Sequence, residues 1–65
     1  MYRVKSFGTE LKPFHTMNEL RGLDEKVNAF LAEEDVKRVV SVSDAPTTGD
    51  QGEIIGLVRV VCCEY

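Results

Sequence analysis

IIGLVRVVCCEY, residues 54–65, is the stretch on which the reading of this 65-residue chain turns. It is dense in β-branched and apolar side chains, has no proline, and is apolar at nearly every position, so it reads as a strand with little polar character on either face. Alternation divides it into two sets. Ile54, Gly56, Val58, Val60 and Cys62 share one face, and Ile55, Leu57, Arg59, Val61, Cys63 and Tyr65 share the other. The first set is uncharged and is the expected core face; the second carries Arg59 and is the expected outer face.

Outward from this strand the chain reads in short segments. VKRVVSVSD, residues 36–44, alternates and predicts another strand, and APTTGDQG, residues 45–52, is a cluster of turn formers predicting a long loop between the two. YRVKSF, residues 2–7, predicts the first strand, and GTELKP, residues 8–13, a connecting loop punctuated by Gly8 and Pro13. Thr16-Met-Asn-Glu19 has the spacing of a capping box and predicts a helix start. Leu20, Leu23, Val27, Phe30 and Leu31 then fall on one stripe of a 3.6-residue period, while Glu19, Asp24, Glu25, Glu33 and Glu34 lie off it as a solvated face. Gly22 is a weak point where the helix could kink.

The order is β-α-β-β, a single α+β domain over residues 1–65. The most apolar strand belongs in the middle, which gives a three-stranded sheet of order 1-3-2 with one helix on one face. Tyr2, Val4, Val40 and Val42 are expected to join the uncharged set of the last strand beneath the helix. The opposite face is left without cover. A chain this short buries only about 60% of its unfolded surface, so self-association through the open face is the expected remedy.

Composition narrows the function. Eight Lys and Arg against eleven Asp and Glu leave a net charge of −3, contrary to the basic footprint that nucleic-acid polymers require. No stretch approaches the roughly 18 apolar residues of a membrane span, and no signal-peptide pattern is visible, so a soluble cytoplasmic protein is expected. Cys62 and Cys63 are adjacent, which on a strand points them to opposite faces and leaves both as free thiols. With His15 as the one histidine and no ligand-spaced cysteine pair, neither a metal site nor a cofactor is expected. No nucleophile–base pairing, phosphate loop or dinucleotide fingerprint is present, and the chain is read as non-enzymatic, with no catalytic residues.

Candidate binding residues are those that put charge and aromatic surface together. Arg3, Lys5, Lys37 and Arg59 are expected on the outer face, with Phe7 and Tyr65 available to stack on a flat ring. Thr47, Thr48 and Gly49 offer hydroxyls and an approachable amide in the 45–52 loop, although loops of this composition are more often merely mobile connections. Arg59 reads equally as an interface arginine paired to a carboxylate such as Glu53 or Glu64 of a neighbour.

LDEKVNAFLAEEDVKRVVSVS, followed after the loop by GLVRVVCCEY, resembles a family of very small sporulation-associated proteins of spore-forming bacteria with relatives in phage genomes. The β-α-β-β order also resembles the architecture of dodecin, a flavin-storing oligomer, although the chain has no tryptophan to stack on a flavin. In size and surface it is similar to phage sponge proteins that sequester a nucleotide messenger. These resemblances imply a homo-oligomeric protein, phage or bacterial, that sequesters a small anionic ligand such as a nucleotide at its subunit interfaces. The alternatives are a protein–protein interaction module or a sporulation-associated structural protein.

Overall fold

In a computed structural model describing residues 1–65, the strand that opened the reading, β3 (Ile54–Glu64), lies in the middle of a three-stranded sheet. β1 (Tyr2–Glu10) and β2 (Arg38–Thr48) flank it, both antiparallel to it, in the order β1-β3-β2. Helix α1 (Thr16–Glu33) carries the chain from β1 to β2, as the β-α-β-β reading expects. No helix is long and apolar enough to cross a membrane.

Two boundaries differ from expectation for one reason: glycine and proline in an edge strand do not end it. Gly8, Thr9 and Glu10 pair with Val58, Leu57 and Gly56, so β1 runs through the predicted loop, and the Leu11 amide still donates to the Ile55 carbonyl at 2.9 Å. On the other side Ala45, Pro46, Thr47 and Thr48 pair with β3, and Pro46 is tolerated because β2 is an edge. The long loop therefore shrinks to a turn in which the Gly52 amide donates to the Gly49 carbonyl at 3.1 Å and Gly52 takes φ 81°. At its other end β2 starts at Arg38, so Val36 and Lys37 lie outside it.

Helix α1 starts where the sequence indicates, but the capping box does not form. His15 is the N-cap and contributes no side-chain cap, while Glu19 accepts instead from the Thr9 hydroxyl of β1 at 3.5 Å. The apolar stripe is as read: Leu23 and Val27 are buried, and Leu20, Phe30 and Leu31 are partly so. The helix is continuous through Gly22.

The two faces of the sheet are exchanged relative to the sequence reading. Val61 and Cys63 are fully buried, with Val27, Phe30 and Leu31 of the helix, Phe7 of β1, Val36 and Tyr65 around them. Phe7 and Phe30 meet edge to face, with centroids 5.6 Å apart. The odd positions of β3 thus face α1, and Tyr2, Val4, Val58, Val60 and Cys62 lie on the uncovered side. Antiparallel register makes the phase a joint property of the strands: Phe7 sits opposite Arg59, so burying the large ring under the helix carries Arg59, Val61 and Cys63 with it. A bulge between Val39 and Ser41 then shifts β2, placing Val39 and Val42 opposite Cys63 and Val61. Val42, expected beside Val40 in the core, is thereby on the helix side yet exposed, because α1 packs on β1 and on Val61 and Cys63 of β3 and leaves an open groove against β2.

The result is a thin molecule, 40 × 20 × 11 Å, with a radius of gyration of 13.2 Å where about 11 Å is usual for 65 residues. Its accessible surface is 4825 Å², about 650 Å² more than a compact monomer of 7.3 kDa presents. Only Leu23, Val27, Gly56, Val61 and Cys63 are buried.

Candidate functional site

Register dictates which of the candidate binding residues meet. Arg3 and Lys5 lie opposite Cys63 and Val61, which puts both on the helix side of β1 near the end of β3. Tyr65 follows β3 directly, and the Arg3 guanidinium stacks over its ring at 5.3 Å from the centroid. Arg3, Lys5 and Tyr65, with Val4, Phe30 and Glu34, line a shallow cavity of about 190 Å³. Desolvation of the Tyr65 phenol, and then the charge of Glu34, hold it above the ordinary tyrosine value. Neither Arg3 nor Lys5 forms an ion pair; the Arg3 Nε–H donates only to the Met1 sulfur, at 3.3 Å.

Arg59 belongs to a different cluster. Its Nε and Nη2 donate to the two oxygens of Asp44 at 2.8 and 3.2 Å, a bidentate grip, and its Nη1 donates to Asp24. The side chain is 17% exposed. The hydrogen bond it donates to Asp44, and then that to Asp24, raise the guanidinium pKa further above its ordinary value, while the Asp44 contact lowers that carboxyl below its own. Arg59 thus lies on the helix side, engaged by carboxylates of its own chain, where an outward-facing contact was expected. It ties α1 to β3 and β2. Its aliphatic stem crosses apolar surface while the head reaches the carboxylates at the margin, which is how a charge fits on the core side of the sheet.

The remaining candidates disperse. Phe7 is engaged with Phe30 and is not free to stack on a ligand ring. Thr47 pairs with Gly56, about 23 Å along β3 from the position opposite Arg3, and Thr48 and Gly49 lie farther out at the hairpin end. Lys37 stands outside the strands, its amide donating to the Glu64 carbonyl at 2.7 Å. Of the eight residues proposed from sequence, Arg3, Lys5 and Tyr65 form one site. Glu34 is the neighbour that sequence reasoning missed, having been placed among the solvated acids of α1.

Two further features of the surface stand out. The uncovered sheet face presents Tyr2, Val4, Val40 and Ile54 well exposed, with Val58, Val60 and Cys62 partly so. Phe14 is fully exposed at φ 66°, at the third position of a turn closed by the His15 amide donating to the Lys12 carbonyl at 3.1 Å. That position ordinarily favours glycine or asparagine. Pro13 at the preceding position was the available signal for the turn.

No family model matches the chain, and neither a curated protein nor a solved structure does.

Proposed function

We propose that this chain is a non-enzymatic binding protein, working as an assembly of identical copies, that holds a small anionic ligand at Arg3, Lys5 and Tyr65. The observation that carries the reading is that Arg3, stacked over the Tyr65 ring, and Lys5 line one cavity with that ring and form no ion pair, whereas Arg59 and Arg38 are both neutralised, the latter by Glu64 at 3.0 Å. Guanidinium and ammonium groups grip a phosphate or carboxylate, and the stacked Arg3–Tyr65 pair offers a flat platform to a base. A nucleotide is the class of ligand that uses both.

A cavity of about 190 Å³ takes the anionic group and leaves the rest of a nucleotide on the platform outside it. Glu34 on the rim makes the site selective, since it opposes a second negative charge nearby. The assembly part of the reading is supported by the surplus surface of the isolated chain. Free thiols at Cys62 and Cys63 suit a reducing cytoplasm.

The test is a thermal-shift and calorimetric titration with mononucleotides and cyclic nucleotides, on the wild type and on Arg3→Ala and Lys5→Ala. Binding by the wild type, weakened tenfold or more in either variant, is the expected result. An unmoved melting temperature and no heat for any nucleotide would remove the ligand from the account.

A further inference from the structure

The face of the sheet that α1 leaves uncovered has a composition that points to one occupant. Across β1, β3 and β2 it presents Val4 and Ser6, then Val58, Val60 and Cys62, then Val40, Ser41, Ser43 and Ala45. No charge lies in this field. The charged side chains come at its ends, Glu10 at one and the Arg38–Glu64 pair at the other, and that pair is already neutral at 3.0 Å. A charged partner would find nothing to answer it there.

A symmetrical partner presents the same patch to itself, so residue i meets j and j meets i. Such contact is forbidden to a face of one charge sign and open to one with none. Area argues the same way. The surplus of about 650 Å² over a compact chain, doubled in a symmetrical pair, is about 1,300 Å², within the range of stable specific interfaces. Thickness agrees, since packed sheets stand about 10 Å apart and the chain measures 11 Å through its thinnest direction, sheet plus helix with nothing on the second side.

We infer that a second copy of this chain packs on the uncovered face, sheet against sheet, with Val4, Val58, Val60 and Cys62 of each copy in the seam. The inference rests on the assembly half of the function proposed above and names the surface that makes it. Arg3, Lys5, Phe30 and Glu34 of the proposed site lie on the helix side, away from the seam, and Val4 borders both the seam and that cavity.

The adjacent cysteines provide a built-in reporter. Cys62 is in the seam, and Cys63 is buried under α1 in the single chain. The experiment measures sedimentation velocity and maleimide labelling of the full chain, as wild type, as Val60→Arg in the seam, and as Val42→Arg in the groove between α1 and β2. The expected result is an assembled wild type whose Cys62 labels at least tenfold more slowly than in Val60→Arg. Val60→Arg should sediment as the 7.3 kDa chain, Val42→Arg should stay assembled, and Cys63 should stay unreactive in all three.

If Val60→Arg does not fold, dilution of the wild type decides: labelling of Cys62 that speeds up as the assembly dissociates supports the seam, and labelling that is fast at every concentration overturns it. An assembled wild type with freely labelled Cys62, or one broken by Val42→Arg and not by Val60→Arg, overturns the inference and leaves the proposed function standing. A wild type that stays a monomer at high concentration, with Cys62 reactive, overturns both.

Discussion

Val61→Ala and Val60→Ala are one residue apart and should behave as if they belonged to different proteins. Val61 is fully buried beneath α1, in the cluster with Val27 and Cys63. Truncation removes two methyl groups, about 1.6 kcal/mol of transfer free energy at ~0.8 per buried group. A residual cavity of about 40 Å³ adds ~1 kcal/mol where the surroundings do not collapse. The loss of about 2 kcal/mol is large against the roughly 3–10 kcal/mol expected for a chain of this length. It lowers the urea midpoint by about 2 M, for a slope near 1 kcal/mol/M, and the melting temperature by about 8–15 °C.

Val60 points to the uncovered face, so in the dilute, dissociated chain its truncation removes little buried area and costs about 0.5 kcal/mol, mainly strand preference. At concentrations where copies associate it costs ~1.5 kcal/mol more per chain, as a loss of assembly. Urea melts of both variants at low and high protein concentration, followed by circular dichroism, give the comparison. Equal destabilisation in the dilute chain, or a larger effect at Val60, would show that the helix covers the other face and refute the reasoning from register.

Gly56→Ala should destabilise by about 1–3 kcal/mol in thermal melts, because a Cβ there would stand 2.6 Å from the Thr47 hydroxyl and 2.9 Å from the Thr9 carbonyl oxygen, whereas Gly22→Ala, with open space around it, should stabilise by about 1 kcal/mol. Asp44 has a folded-state pKa below its unfolded one, so its contribution is present above about pH 4 and is lost as pH falls through the folded value. Asp44→Asn should therefore flatten the acid limb of the stability–pH curve while leaving its shape above pH 5 unchanged, as read by urea melts across that range. Phe14→Gly should leave the dilute chain as stable or up to about 1 kcal/mol more stable, since the exposed ring makes no contact that compensates a positive φ; a loss above 1 kcal/mol in that melt would contradict this.

The sheet order and the helix were legible because they follow from periodicity and from the concentration of apolar residues in one strand, which residues 54–65 and the stripe from Leu20 to Leu31 display openly. Which side of β3 meets the helix was not. Counting charge set Arg59 outside, yet its carboxylate partners come from Asp24 on α1 and Asp44 on β2, and a helix acid that looks solvated in one dimension becomes a partner only once the register is known. The bulge at Val39–Ser41 left no mark in the sequence, since it exchanges one β-branched residue for another. Of the site, Arg3 and Lys5 were bound to share a face by alternation, and Tyr65 joined them because antiparallel pairing brings the end of β3 to the start of β1. Phe7 alternates with them too, but a large apolar ring is drawn to the core.

The mass of the native particle, recorded under conditions that preserve noncovalent contacts, tests the account most directly. A multiple of 7.3 kDa carrying the added mass of a small anionic molecule is the predicted spectrum. A bare single chain persisting at concentrations of hundreds of micromolar would contradict it.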